Sequence, residues 1–380
     1  MDAHVVTDWG RLVRPGLLGI DPYSPGATLS EFKERYGVDQ ISKLNWNEDL
    51  FGPLPGALEA VERELPNSWM YPEQAYADLR GAIADWLGVD AAYVVPAHGI
   101  QALIATVAHT FVREDDVVVV PQPTYGLYAQ VCSAACADVV RVPLRDHRLD
   151  LTELARVARE RRARLVWVCD PNNPTGSLVT QDEWEAFLAE LPEETVAVVD
   201  EAYREYVDPD VRVVRERDVA AGHRVILLRT FSKIFGLAGL RLGYAVAHPE
   251  LGAYLDVVQE PFNVNRAALA AGRACLADPE RIEERRRQSA EARALLRERL
   301  AAAGMTPLPS QANFLLVEIG VDDVALADAL VPRGFLVRPG SEFGLGRTIR
   351  VTVGPPDLME RAAAAIADVR NELLADGGKL

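Results

Sequence analysis

The sequence is short of lysine. Only four lysines (Lys33, Lys43, Lys233 and Lys379) stand among its 40 lysines and arginines. Three of them fall in polar N-terminal segments or at the C-terminal tail. Only Lys233 lies in an apolar run, RTFSKIFGLAGLRLG, just after the strand-like segment RVILLR. Other absences narrow the field. The four cysteines form no paired CxxC set, which excludes a disulfide framework or a zinc ribbon. They read as reduced thiols, and a cytoplasmic location is expected. No apolar run reaches the ~18–20 residues that a membrane-spanning helix requires. The N-terminus, MDAHVVTDWGRL, lacks the basic start and apolar block of a secretory signal. None of the six histidines has metal-site spacing such as HExxH, so no metal is expected. Repeats and low-complexity segments are missing as well. The net charge of −16 argues against nucleic acid or an anionic membrane as partner.

What is present is a large α/β protein. Of the 380 residues, 49% are hydrophobic, enough for two cores. Short β-branched runs, VVVVP (Val117–Pro121), RLVWVCD (Arg164–Asp170), TVAVVDE (Thr195–Glu201), RVILLR (Arg224–Arg229) and RLGYAVA (Arg241–Ala247), alternate with helical patterns. Strands that are apolar throughout predict a mainly parallel sheet covered on both faces. Asp150–Glu153 and Thr180–Glu183 read as helix starts, and Asp278-Pro279 opens a long Arg/Glu-rich helix. NFLLVEI, GFLVR (Gly334–Arg338), TIRVTVG and an Ala-rich helix then suggest a smaller α+β domain.

In open α/β sheets, ligands sit at the carboxyl ends of strands. Here those ends carry PNNPTG (Pro171–Gly176), Asp200-Glu201-Ala202-Tyr203 and Thr230-Phe231-Ser232-Lys233. The set asks for an anionic, planar cofactor with an aldehyde and a protonatable ring nitrogen. Lys233 would condense with the aldehyde, and Asp200 would pair with the ring N–H. Asn173 and Tyr203 could hydrogen-bond a ring hydroxylate. Thr230, Ser232 and Arg241, with the helix-start amides at Gly99 and Ile100, would hold a phosphate.

TFSKIFGLAGLRLGY, DPNNPTG and DEAY, in that arrangement, resemble the fold type I pyridoxal-phosphate enzymes of the class I/II aminotransferases. The spacings Asn173–Asp200–Lys233–Arg241, of 27, 33 and 8 residues, are similar to that family's. Arg14-Pro15, the PYSPG of residues 22–26, LNWNEDLFGPLP, Tyr71-Pro72-Glu73 and Pro123-Thr124-Tyr125 resemble its histidinol-phosphate aminotransferase branch. PFNVN (Pro261–Asn265) and SQANF (Ser310–Phe314) fit as well. The resemblance implies a large domain (44–270) with a mainly parallel seven-stranded sheet flanked by helices. It also implies a small α+β domain (271–380), to which an N-terminal arm (1–43) contributes. Pyridoxal 5'-phosphate is the implied cofactor, and a homodimer with interfacial active sites the implied assembly. Tyr71 would reach the partner's cofactor phosphate, Tyr125 would stack on the ring, and Arg350 would grip the substrate's anionic end, with Tyr23, Asn173 and Arg338 as further substrate contacts. The implied reaction is ping-pong transfer of an amino group from an amino acid or histidinol phosphate to a 2-oxo acid such as 2-oxoglutarate. Decarboxylation, elimination or cyclisation of an amino acid shares the same residue set and stays open.

Three departures border the substrate or its phosphate. His98 stands where many relatives have glycine, Trp69-Met70 precede Tyr71, and Pro339-Gly340-Ser341 follow Arg338. Glu342, close to Arg338, could meet a cationic substrate or cancel the arginine.

Overall fold

The computed structural model describes residues 9–21, 29–73, 75–375 and 377. Its centre is a seven-stranded sheet of β1 (Val94–Ala97), β2 (Val117–Gln122), β3 (Asp138–Pro143), β4 (Leu165–Cys169), β5 (Val196–Asp200), β6 (Val225–Thr230) and β7 (Gly243–Val246). The spatial order is β1-β7-β6-β5-β4-β2-β3. Only β7 runs against the others. The expected mainly parallel sheet is therefore present, and all five strand-like runs lie in it.

The reason the strands read as continuously apolar is visible in the packing. Leu165, Trp167, Val196, Val198, Ile226 and Leu228 face one core, which holds α1 (Ile100–Phe111) and Tyr128 of α2 (Leu127–Ala134). Val166, Val168, Ala197, Val199, Val225 and Leu227 face the opposite core. It holds α3 (Leu151–Arg161) and α4 (Gln181–Glu190). A strand covered on both sides has no polar face to show. The helix starts follow the expected chemistry. Thr180 and Glu183 form a reciprocal capping box, and Asp150 accepts from the Glu153 amide. β1 escaped the sequence reading because Pro96 interrupts it. It is an edge strand, where proline is tolerated.

A second core is built on β9 (Phe314–Glu318) and β11 (Thr348–Thr352), flanked by β8 (Thr306–Pro307) and β10 (Arg338–Pro339). Leu315, Val317, Ile349 and Val351 pack there against Met359 and Ile366 of α6 (Pro356–Ala375). The 24-residue α5 (Pro279–Ala302) joins the two sheets: Ile282 enters the large-sheet core that holds α3 and α4, while Ala292, Leu296 and Leu300 enter the core of the smaller sheet. GFLVR is not one strand. Phe335–Leu336 pairs in parallel with Ser42–Lys43, and the chain then shifts so that Arg338–Pro339 pairs with β11. The segment after Lys43 thereby joins the second core through Leu44.

Behind the carboxyl ends of β4 to β6 lies a buried charge network. Arg215 donates to Asp170 (2.5 Å) and Glu201 (2.8 Å), and its guanidinium lies 4.6 Å from the Trp184 ring centroid. Arg229 donates to Glu201 at 2.8 and 2.6 Å and pairs with Glu216, which Arg204 also reaches. Three arginines meet three carboxylates, so the cluster is neutral. Removing one partner strands charge in a low dielectric. Arg215→Met is therefore expected to lose about 3–5 kcal/mol of stability. The check is the urea-unfolding midpoint at unchanged slope; a loss below about 1 kcal/mol would show that the network is not a brace.

Candidate active site

The site forms where β1, β4, β5 and β6 end and β7 begins. β5 delivers Asp200 and Glu201 to opposite faces, since successive residues of a strand alternate. Asp200 turns toward α2. Its Oδ2 accepts from the Tyr128 hydroxyl at 2.6 Å and its Oδ1 from the Ala202 amide at 3.0 Å. Tyr128 is itself held flat on Trp167, centroids 4.7 Å apart and planes 8° apart. Burial pushes the Asp200 carboxyl up to about 6. The bonds from Tyr128 and Ala202 and the charge of Lys233 pull it back, while Glu201 pushes it further up.

Lys233 follows β6 by three residues. Its Nζ donates to the Asn47 carbonyl at 2.7 Å and lies 5.4 Å from the Tyr203 ring centroid. Burial brings the ammonium down to about 8. Arg350 and Arg241 add repulsion, and Glu48 and Asp200 partly offset it. The amine is thus poised to act as a base or nucleophile nearer neutral pH than a surface lysine.

Beside it is a cradle for an anion. β1 ends at Ala97, Gly99 caps α1 at φ 94°, and a Cβ on Gly99 would come 2.8 Å from Arg241 Nη2. Arg241, at φ 56°, donates through Nη1 to Ala238 O (2.9 Å) and Ser232 Oγ (3.4 Å) and through Nη2 to Gln101 (3.2 Å). Thr230 Oγ1 accepts from the Ser232 amide at 3.0 Å. The first amides of α1, beginning at Ile100, add the positive end of a helix. Gln101 also donates to the Tyr125 hydroxyl at 2.9 Å, and the Tyr125 ring stands edge-on to Tyr128, centroids 5.5 Å apart.

On the far side, Tyr203 OH accepts from Asn47 Nδ2 at 3.1 Å. Asn173 Oδ1 accepts from Arg350 Nη1 at 2.6 Å, and Arg350 Nη2 donates to Asn45 O at 2.6 Å. Arg338 lies directly across from Arg350 in the β10–β11 register and is ion-paired with Glu342. Of the two readings for Glu342, the structure has the carboxylate on the arginine.

One expected residue is not brought in, and a second cannot be placed. Tyr23 lies outside the described residues. Tyr71 is 79% exposed, and its ring stacks on Phe262 with centroids 4.9 Å apart, on the outer surface of this chain. Three residues of the site went unassigned from sequence: Asn47, Gln101 and Tyr128. Asn47 lies within LNWNED and adopts φ 56°, a left-handed conformation that asparagine tolerates. Tyr128, three residues after Tyr125, had no signal beyond being an aromatic at a helix start.

The donor set suits pyridoxal phosphate. There is a cation-lined cradle whose backbone at position 99, at φ 94°, disfavours a side chain, an aromatic ring, a carboxylate set to face a ring nitrogen, and one amine for an aldehyde. Fold and site together define a fold type I pyridoxal-phosphate enzyme. The sequence profile described as aminotransferase class I and II matches residues 39–366. The histidinol-phosphate aminotransferase of Symbiobacterium thermophilum is 37% identical over 93% of this chain and 97% of its own. That of Moorella thermoacetica is 36% identical over 94% and 92%. The crystal structure of the Sinorhizobium meliloti histidinol-phosphate aminotransferase, in complex with pyridoxal-5'-phosphate, superposes with a TM-score of 0.87. It is 30% identical, covering 94% of this chain and 97% of that one. The chain belongs to the class I and II aminotransferases and is a pyridoxal-phosphate-dependent transaminase similar to histidinol-phosphate aminotransferases; the decarboxylase or elimination alternative is not favoured.

The shift at Lys233 has a kinetic consequence. Only the neutral amine attacks an aldehyde, so capture of pyridoxal phosphate by the cofactor-stripped protein should quicken as pH rises through about 8 and then level. Stopped-flow absorbance measures it. A rate that keeps climbing toward the usual lysine range would show that the amine is not desolvated.

Proposed function

We propose that this chain moves an amino group from a donor with an anionic end to a 2-oxo acid such as 2-oxoglutarate, in two half-reactions at one site. Histidinol phosphate is the first donor to try, because the similar curated proteins carry that substrate in their name. The single observation behind the reading is the convergence of a half-buried amine, Lys233, with Asp200 on one side and the Arg350–Asn173 pair on the other.

The bound cofactor supplies an aldehyde to receive the amino group and a protonated ring that withdraws electrons from the substrate Cα. The chain supplies the rest. Arg241, Ser232, Thr230 and the amides of Gly99 and Ile100 would hold its phosphate. Asp200, kept in place by Tyr128, would hold the ring nitrogen protonated. Tyr125 would cover the ring, and Asn173 and Tyr203 would bond its oxygen. Arg350, aimed by its bonds to Asn173 and Asn45, orients the substrate's anionic group. Lys233 Nζ would remove the proton from the substrate Cα and, as an ammonium, hold it for delivery to the cofactor's former aldehyde carbon. Its Asn47 carbonyl partner aims the amine and leaves its lone pair free.

We read the assembly as a homodimer. Trp69 and Tyr71 are 81% and 79% exposed, beside Met70 and Phe262, an aromatic surface better suited to a second copy than to water. Tyr71 would then serve the partner's cofactor phosphate. The four cysteines are free, in keeping with a reducing cytoplasm.

Lys233→Ala should lower turnover by at least about 10³-fold and remove the cofactor's borohydride-trappable bond to the chain. Surviving turnover would sink the assignment of the base. Arg350→Lys exchanges a planar fork for a point charge and should raise the KM for 2-oxoglutarate about 30-fold, with a smaller effect on kcat. A donor screen decides the substrate. Turnover of a plain amino acid with none of histidinol phosphate would discard that donor and keep the transaminase.

A further inference from the structure

We propose that Glu342 is the specificity-determining residue of this site: its carboxylate occupies the seat that Arg338 would offer to a second anionic group on the substrate. The inference rests on the reading of Arg350 as the anion clamp and extends it.

The geometry starts from the register. Arg338 and Arg350 are direct partners across the antiparallel β10–β11 pair, so their side chains leave the same face of the sheet. Both guanidiniums lie beside one ring: Arg350 Cζ is 5.3 Å and Arg338 Cζ 5.9 Å from the Phe343 centroid. Like charges placed opposite one another on a sheet repel. Such a pair persists where something anionic sits near it. Arg350 is fixed in the site by Asn173 and Asn45. Arg338 is satisfied instead by Glu342, from its own chain, four residues on.

The seat is firm and its occupant is movable. Glu342 lies in the short helical turn Gly340–Phe343. The Asp323 carboxylate accepts from the Ser341 amide at 2.7 Å and from the Arg347 amide at 3.0 Å, pinning the start of that turn and the loop that follows it. Gly340 is packed so closely that a Cβ would overlap Thr348 Oγ1 and Leu345 O. The backbone under Glu342 therefore has no slack. Its side chain has: it is 43% exposed, against 21% for Arg338. A substrate with one anionic group uses Arg350 and leaves the Arg338–Glu342 pair intact. One with a second carboxylate, or with a phosphate large enough to span both arginines, must turn Glu342 out to water. The ion pair thus sets a penalty on dianionic substrates that Arg338 alone would reward.

The test compares two ligands that lack reactive groups, succinate and propionate, bound to the cofactor-loaded protein and measured by calorimetry. Glu342→Gln keeps the shape and removes the charge. It should raise the affinity for succinate over propionate about tenfold, and the kcat/KM for glutamate over alanine by a similar factor. Arg338→Met, added to Glu342→Gln, should erase both gains. A succinate-to-propionate ratio within twofold of wild type in Glu342→Gln would overturn the proposal. So would a loss shared equally by both ligands, which would mark Glu342 as support for the turn alone. If the binding contrast shifts while no donor is transaminated, the seat stands and the functional reading fails. If transamination proceeds without the contrast, the seat fails and the reading stands.

Discussion

The structure turns on one desolvated amine. An ammonium half-buried near the end of a strand is costly, and the fold meets that cost with few groups: the backbone carbonyls of Asn47 and Trp46 in contact, the Tyr203 ring face nearby, and the carboxylates of Asp200 and Glu48 further off. Arg350 and Arg241 work against it. On the proposed roles these two arginines hold anions, and their field comes with an anion-binding site. The outcome is a lysine drawn down to about 8 and an aspartate drawn up to about 6, two opposite shifts set mainly by the same burial. Acid and base roles are separated by environment and not by residue type alone.

Holding Asp200 at that point is a mechanical problem as much as an electrostatic one. Asp200 ends β5 and Glu201 follows it directly, so the two face opposite sides of the sheet. On the Asp200 side the sheet meets Tyr128, itself clamped on Trp167. On the Glu201 side it meets Arg215 and Arg229, which also tie in Asp170 at the end of β4 and Glu216. The ends of three adjacent strands are thus bound from behind by a neutral cluster, while the front face presents the reactive groups. Without the arginines, Glu201 would add an uncompensated negative charge behind a carboxylate that it already pushes toward protonation.

How much of this could be read in advance depended on whether a residue's role is local. Strands β2, β4, β5, β6 and β7 were legible because burial on both faces writes an apolar run. Lys233 was legible because it is the one lysine amid apolar neighbours. β1 and β3 were not: one contains Pro96, and the other, at the far edge, has Asp138 and Arg141 among its valines. GFLVR looked like a single strand because nothing in its composition reveals that two different partners claim its halves. Asn47 was hidden for a deeper reason. Its partners Tyr203, Lys233, Asn313 and Thr352 are 156 to 305 residues away, and only the second core, with Leu44 inserted in it, carries the segment there. Tyr71 could be named, but on this chain its ring lies exposed against Phe262, away from the site it was expected to serve.

The division of labour between the two cores follows from that long-range closure. Asp200, Lys233, Arg241 and Gly99 hang from the large sheet, whereas Arg350, Arg338 and Glu342 hang from the smaller one. The Arg350–Asn173 bond and the Asn47 contacts join the two sets across the site. Proton transfer needs a rigid relation among the groups on the first sheet, because a base must meet Cα within hydrogen-bond reach. Anion recognition has a different demand, since the two half-reactions place unlike molecules against one clamp in turn. On the proposed roles, mounting that clamp on a separate sheet, with Arg350 held by Asn173 and Asn45 and Arg338 covered by the more exposed Glu342 side chain, lets the recognising end adapt while the reacting end stays fixed.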